Sequence, residues 1–156
     1  MTNDLSAGTR VKAVDFPRAA QYTDQTSQLN ITDTSYTEGV PEVAVREMAP
    51  SSGRVLVALS AGIRNNTAAN QDRVFVSFRV FEGDPADNDL YQTEEVKLGL
   101  SNTGAGADDY SYGAHGTMVQ GLTPGTYYYF QVRHRTTLGS GTADIANRAI
   151  LVTPIP

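Results

Sequence analysis

The chain has 156 residues, of which 40% are hydrophobic and 19% charged, and its formal net charge is -5 at pH 7. This length allows one domain with a substantial core, and the composition is that of a globular protein. The negative charge argues against nucleic acid as a partner, because a basic surface supplies most of the affinity in nonspecific binding. The sequence has no cysteine, which excludes disulfides and thiol nucleophiles.

No apolar run approaches the roughly 20 residues that a membrane-spanning helix requires. The N-terminal sequence MTNDLSAGTRVKAVDF also lacks the apolar segment of a secretory signal. We therefore expect a protein that is made in a cytoplasm and has no membrane partner.

Residues 1–25 contain few apolar side chains and no sustained alternation, so we predict an extended N-terminal arm. A single domain is predicted over residues 26–156. The arm is either a frayed terminus or a segment that becomes ordered on a partner. In the second case Val11, Val14 and Phe16 would be its apolar anchors.

Alternation with a period of two residues dominates the rest of the chain, which predicts β-strands. A short strand is predicted over PEVAVREMAP and ends at Pro50. The clearest strand lies over GRVLVALSAGIRNN, and one of its faces carries Val55, Val57, Leu59, Ala61 and Ile63. A second lies over RVFVSFRVFEG, and one of its faces carries Val74, Val76, Phe78 and Val80.

Further strands are predicted over LYQTEEVKLGL, SYGAHGTMVQGL, GLTPGTYYYFQVRHR and NRAILVTPIP, separated by polar or proline-containing turns. Seven to nine strands at this spacing predict an all-β fold, an antiparallel β-sandwich or jelly roll.

The segment YYYFQVRHR separates into two rows. Tyr128, Phe130 and Val132 are predicted to face the core, and Tyr127, Tyr129, Arg133 and Arg135 to face outward. The outward row meets either water or a sister subunit, because tyrosine and arginine suit a polar contact surface. The same two alternatives hold for the other strand arginines, Arg73, Arg79 and Arg148.

No catalytic or metal centre is predicted. His115 and His134 belong to no metal-binding motif, and we expect both on solvated strand or loop faces. The acidic loop with Asp84, Asp87 and Asp89 matches no EF-hand spacing and is expected to be a solvated turn. No nucleophile elbow or phosphate-binding loop is present. We therefore expect no enzyme activity, no metal and no cofactor.

The segment GLTPGTYYYF resembles strand F of a fibronectin type III module, where such a sequence forms a tyrosine corner. The matching residues are Leu122, Pro124, Gly125, Thr126, Tyr128 and Phe130. The match is local, because the chain has no tryptophan for the early core strand and is longer than one such module.

A second resemblance extends over nearly the whole chain. It is carried by APSSGRVLV at Ala49–Val57, by GLTPGTYY at Gly121–Tyr128 and by TADIANRAILVTP at Thr142–Pro154. These segments resemble a family of small virion-associated proteins of actinobacterial phages and prophages. Such domains are similar to C1q/TNF-type jelly rolls, which implies a homotrimer packed around a three-fold axis.

The resemblance implies a structural protein of a phage virion. In the first interpretation it is a trimeric capsid decoration protein on the exterior of the head, and its N-terminal arm binds the major capsid protein. Its subunit interface would contain Tyr127, Tyr129, Arg133 and Arg135. The alternative is a tail or fibre module that recognises a host-surface glycan or protein through its loops, with Tyr110 and Tyr112 as contacts.

Overall fold

Eleven strands follow one another in the computed structural model, which describes residues 18–66, 73–87, 90–95, 99–102, 110–137 and 142–156. They are β1 (Ala20–Asp24), β2 (Gln28–Ile31), β3 (Thr37–Glu38), β4 (Ala44–Met48), β5 (Arg54–Asn65), β6 (Val74–Glu82), β7 (Leu90–Gln92), β8 (Leu100–Asn102), β9 (Ser111–Gln120), β10 (Tyr127–Thr136) and β11 (Ala143–Ile155). A short 3-10 helix lies at Pro85–Asp87, before β7.

The strands form two antiparallel sheets. In sheet 1 the order is β1 and β2 beside β11, then β5, then β9; in sheet 2 it is β3 and β4 beside β10, then β6, then β7 and β8. Because β1–β2, β3–β4 and β7–β8 each act as one interrupted strand, the eleven strands reduce to eight. Along the chain, each of these eight strands lies in the opposite sheet from the one before it. The exception is the fourth and fifth, β6 and β7–β8, which are both in sheet 2. This is the order of a jelly roll.

The alternating segments place their apolar faces between the two sheets. Val55, Val57, Leu59, Ala61 and Ile63 of β5 are at most 2% exposed, and the predicted inward rows of β6 and β10 are equally buried. The prediction of an all-β antiparallel sandwich of the jelly-roll type is confirmed. The predicted row Tyr128, Phe130 and Val132 also lies in the core.

A β-bulge in β11 changes which side chains face the core. The pairing of β11 with β5 shifts register between Ala146 and Ala149, and Asn147 adopts a positive φ of 50°. Ile145 faces inward before the bulge and Ile150 after it, so the inward positions change from odd to even numbers. Arg148 consequently points into the sandwich and is fully buried. The expectation of a solvated strand face is wrong for this arginine.

The buried guanidinium of Arg148 is bound by Asp24 of β1. Its Nη2 donates to Asp24 Oδ2 at 2.5 Å and to the carbonyl of Pro41 at 2.9 Å. Burial acts to raise the pKa of the Asp24 carboxyl, but the Thr26 N–H and the Arg148 charge outweigh it and hold this pKa below its usual value. Gly39 packs against the guanidinium so closely that a Cβ would overlap Arg148 Nη1.

The folded domain includes part of the segment predicted as an arm. β1 pairs with β11 over all five of its residues, from Ala20 opposite Val152 to Asp24 opposite Arg148. The structure therefore places Ala20–Asp24 in sheet 1. Residues 1–17, with the predicted anchors Val11, Val14 and Phe16, lie outside the described residues.

The turn before β10 has the geometry of a tyrosine corner. The Oη atom of Tyr128 accepts the backbone N–H of Thr123 at 3.0 Å, five residues upstream, and lies 3.4 Å from Glu82 Oε2. The local resemblance to a fibronectin module is thus reproduced in this turn. The sheet order differs from that of the fibronectin module. There the first two strands share one sheet and the last two share the other. Here the first two of the eight strands lie in different sheets, and so do the last two, β10 and β11.

Replacing Tyr128 with Phe should lower the free energy of unfolding by about 0.5–1.5 kcal/mol, because the hydrogen bond from the Thr123 N–H to the buried Tyr128 hydroxyl would be lost. Urea unfolding of Tyr128→Phe and wild-type protein measures the difference. Tyr127→Phe is the matched control, since that ring is 47% exposed on the opposite face of β10. Equal losses in the two variants would contradict a structural role for the corner.

Candidate interaction surface

The four outward residues predicted on β10 lie on one face of sheet 2. Tyr127, Tyr129, Arg133 and Arg135 alternate with the buried row and point away from the core. The structure shows that the two ends of this face differ. The arginine end is covered by other segments of the same chain, and the tyrosine end is open.

Ion pairs cover the arginine end. Arg133 Nη1 lies 2.8 Å from Glu38 Oε2, and its Nη2 donates to the Tyr36 carbonyl at 3.0 Å. Glu94 accepts two hydrogen bonds of 2.8 Å from Arg79 on β6 and lies 3.5 Å from Arg133 Nε. The segment that contains Glu94 and the one that contains Tyr36 therefore fold back onto the outer face of sheet 2.

Aromatic rings complete this covering layer. The Arg135 guanidinium lies 4.6 Å from the ring centre of Phe75 and 5.1 Å from that of Tyr36. Burial raises the pKa of the Tyr36 hydroxyl. Phe75 and Phe81 are only 4% and 5% exposed although they are on the outer face of β6. Neither alternative derived from the sequence, water or a second subunit, included contacts of these arginines within the chain.

The tyrosine end is the exposed part of the surface. Tyr127 is 47% exposed, the guanidinium of Arg46 lies 4.4 Å from its ring centre, and Met48, opposite it in register on β4, is 42% exposed. We call these three residues the Tyr127 patch. Tyr129 is half-buried, and burial, followed by the Glu42 charge, raises its pKa to about 12. Contact of this face with a second subunit stays a prediction.

His134 is the second place where the structure departs from the sequence expectation. Its side chain belongs to the inward row of β10 and is 3% exposed, so the expected solvated position is wrong. It lies at the base of an open cleft of about 390 Å³ between β2 and β3. The Nδ1 atom is buried without a hydrogen-bond partner in the described part of the protein.

The charge state of His134 follows from its surroundings. Burial, and then the positive charge of Arg148, lower the pKa of the imidazole from 6.5 to about 4. Arg133 also lowers this pKa, whereas the carboxylates of Asp33 and Glu38 raise it and are outweighed. His134 is therefore neutral at pH 7.

The remaining sequence candidates have simpler positions. Asp84 accepts the N–H of Ala86 at 2.8 Å at the start of the 3-10 helix, as expected of a turn, and Asp89 lies outside the described residues. His115 is half-buried on β9. Within the described ranges there is no group of three side chains suited to a metal ion. The same residues contain no helix long and apolar enough to cross a membrane.

Tyr110 and Tyr112, the contacts predicted for a recognition module, lie side by side. Their ring centres are 6.1 Å apart, and the Arg64 guanidinium is 4.9 Å from the ring centre of Tyr110. Tyr112 is 64% exposed, and its Oη accepts a hydrogen bond from Asn147 Nδ2 at 3.2 Å. The two rings therefore form a second exposed aromatic site, at the start of β9.

The fold is similar to that of viral capsid proteins. VP2 of the infectious bursal disease virus subviral particle superposes with a TM-score of 0.53 at 10% sequence identity, over 88% of this chain and 32% of the VP2 chain. VP2 of the Gt strain gives a TM-score of 0.54 at 11% identity, over 88% and 33%. This chain thus spans about a third of the length of VP2, and identities this low show a shared fold alone.

A xylan-binding domain of Paenibacillus barcinonensis also matches, over 87% of each chain at 10% identity, but its TM-score of 0.39 is too low to support an argument. No known sequence family matches the chain, and no curated protein is similar to it in sequence. The comparisons therefore establish the fold and leave the function to be proposed.

The stability of the protein should fall on acidification because of His134. The unfolded chain binds a proton at His134 below about pH 6.5, whereas the folded chain binds it only below about 4. Stability is therefore lost as the pH decreases through this window, by roughly 3 kcal/mol if the site stays closed. Urea unfolding from neutral pH down to about 4 should show this loss in wild-type protein and not in His134→Gln.

The difference between these two proteins isolates the imidazole from carboxyl groups that titrate nearby, such as Glu47, whose pKa is raised by burial. Asp24 and Asp144 have lowered pKa values, so their contributions are lost only below about pH 3.8. His115→Gln is the control for removal of a histidine. Parallel pH profiles for wild-type and His134→Gln would contradict the lowered pKa of His134.

Proposed function

We propose that this protein is a structural component of a virus particle, and more specifically a trimeric capsid decoration protein on the exterior of a phage head. The observation that carries the proposal is the jelly-roll order of its strands, which it shares over 88% of its length with VP2 in a subviral particle. The segments that resemble virion-associated proteins of actinobacterial phages support the same role. The C1q/TNF-like resemblance supports the trimer.

The subunit contact in this proposal uses the tyrosine end of β10. Tyrosine, methionine and arginine are the side chains that interfaces favour, and the Tyr127 patch presents one of each. Arg133 and Arg135 are held by Glu38, Glu94 and aromatic rings of their own chain. Their role in the proposed interface is to keep this face of sheet 2 rigid, while Tyr127 and Tyr129 meet the neighbouring subunit.

The attachment to the capsid uses the N-terminal arm. Residues 1–17 precede β1, which pairs with β11 at the edge of sheet 1, so the proposed arm is joined to the domain at this edge. Val11, Val14 and Phe16 would bury apolar surface on the major capsid protein. Weak contacts repeated by three arms of a trimer would add through multivalency.

Removing residues 1–17 should abolish binding to capsids without unfolding the domain. The measurement is co-sedimentation of full-length protein and of residues 18–156 with particles that lack the protein. The deletion must end before Ala20, because removal of Asp24 would leave the Arg148 charge buried without a counter-ion.

The combined substitution Val11→Asp, Val14→Asp and Phe16→Asp in the full-length chain should give the same loss of binding. Wild-type binding by the truncated form would refute the arm as the attachment. The number of copies per particle identifies the site. Hundreds of copies over the head indicate decoration, whereas a few copies at one vertex indicate a tail or fibre protein.

The trimer predicts a mass in solution that is a multiple of three 16.8 kDa subunits. Light scattering on the full-length protein measures it. Tyr127→Glu should lower the mass, because the substitution places a charge at the centre of the Tyr127 patch. Tyr22→Glu is the matched control, since Tyr22 is 44% exposed on β1 of the other sheet. A monomer at micromolar concentration, or equal effects of both substitutions, would contradict the proposed interface.

The tail or fibre interpretation has one observation in its favour, the exposed aromatic site of Tyr110 and Tyr112. Neighbouring aromatic rings can stack on the apolar face of a ligand, and their hydroxyls can form hydrogen bonds. In that function Tyr110→Ala with Tyr112→Ala would reduce attachment of the particle to host cells and would leave assembly of the particle unchanged.

A further inference from the structure

β9 is an edge strand that is unusually exposed. It pairs with β5 in continuous register from Ile63 opposite Ser111 to Arg54 opposite Gln120, and no other strand in the described part of the chain pairs with its second edge. Nine of its ten residues are exposed or half-buried, on both faces of the sheet, and only Val119 is buried. 

One contact marks where the free edge ends. Tyr91 Oη donates to the carbonyl of Gln120 at 2.7 Å, so this carbonyl is already occupied. The rest of a strand about 34 Å long carries backbone donors and acceptors that alternate between β5 and the open side.

The other sheet edges carry protections that β9 lacks. Proteins prevent edge-to-edge association with short strands, charged side chains, prolines or bulges. The other edge strands, β1 to β4, β7 and β8, are five residues or shorter, and β1, β3 and β4 also carry charges. β9 has ten residues, SYGAHGTMVQ, with no Asp, Glu, Lys, Arg or Pro and no shift in its register.

The middle of the outer face of sheet 1 beside this edge is also uncharged, between Arg54 and Arg64 at the two ends of β5. Met118 of β9 and Leu56 of β5 lie opposite each other and are 43% and 37% exposed. The next outward pairs along the two strands are Gly116 with Ala58 and Ala114 with Ser60. Such a face of small and apolar side chains is typical of a surface that another protein covers.

We propose that β9 is an interface between two copies of this chain, which pair their β9 strands antiparallel about a two-fold axis and join their sheets 1 into one. A twofold axis brings each residue near its own counterpart, so the contact must not repel itself. The chain has a net charge of -5, and β9 is the described edge that is both long and free of charge. Two copies of β9 also have the same length of ten residues, so each can pair along the whole edge of the other.

The alternation of the strand restricts the register of the pair, and complete overlap of two equal strands places the axis near the middle of β9. When the two sheets continue each other, outward residues lie beside outward residues, so even positions of one strand meet even positions of the other. Gly116, near the middle of Ser111–Gln120, then lies close to its own counterpart. This contact is distinct from the Tyr127 patch, which is on sheet 2, and it holds whether the remaining assembly is a monomer or a trimer.

The experiment uses Gly116→Lys and Gly116→Glu in the full-length protein. A Cβ at Gly116 meets only the Cδ1 of Leu56, at 3.7 Å, so both variants can fold as the wild type does. Light scattering should show that each variant has half the mass of the wild type, because like charges face each other across the axis. An equimolar mixture of the two variants should recover the wild-type mass, since Lys then meets Glu.

Gln21→Lys, on the exposed β1 at the opposite edge of sheet 1, is the control and should keep the wild-type mass. The proposal is overturned if both Gly116 variants keep the wild-type mass, or if the mixture fails to recover it. The proposal is also overturned if the truncated protein, residues 18–156, has only half the number of subunits of the wild type. Residues 1–17 would then be needed for the contact between the two copies. Failure of these tests leaves the capsid-binding experiment unaffected, so the two proposals are separable.

Discussion

The ion pair between Arg148 and Asp24 connects parts of the chain that are far apart in sequence. Arg148 lies on the last strand, Asp24 on the first, and the Pro41 carbonyl and Gly39 come from the connection between β3 and β4. A fully buried guanidinium is stable only with its counter-charge, and removal of either partner of such a pair typically costs 3–5 kcal/mol. This contact therefore joins β1, β11 and the connection between β3 and β4 on one side of the sandwich. His134, from the opposite sheet, remains neutral because burial, and then this nearby positive charge, lower the pKa of its imidazole.

The two outer faces of the sandwich differ in how they are covered. On sheet 2, the segments that contain Tyr36 and Glu94 fold over β6 and β10 and neutralise Arg79 and Arg133 within the chain. On sheet 1, small and apolar side chains of β5 and β9 remain exposed. Among the described residues, Arg79 and Arg133 of sheet 2 are thus paired within the chain, whereas the Tyr127 patch and the edge of β9 are uncovered. These are the surfaces on which the proposed assembly relies.

The alternation of inward and outward residues on β10 was the part of the candidate surface that could be predicted from the sequence. Tyr127, Tyr129, Arg133 and Arg135 share a face because a strand places every second residue on one side, and this follows from the sequence. The partners of the arginines did not follow from it. Glu38 and Glu94 are separated from Arg133 by long stretches of chain, and nothing in SYTEGV or QTEEV distinguishes a paired glutamate from a solvated one. Arg46 and Met48 lie beside Tyr127 because of the register in which β4 pairs with β10, and the sequence does not show this register.

The sequence alone determined the all-β class, the strands β5, β6 and β10 and their inward rows, because regular alternation of apolar side chains permits one orientation against a core. Tertiary structure decided the rest. The bulge at Asn147 turned Arg148 inward, and the charge of Arg148 then required Asp24, which brought a segment without apolar alternation into sheet 1 as β1. Interruptions divided three of the eight jelly-roll strands, and the short pieces β1, β2 and β3 were not predicted from the sequence. Both effects arise from contacts between distant segments, and a local pattern of residue types does not encode such contacts.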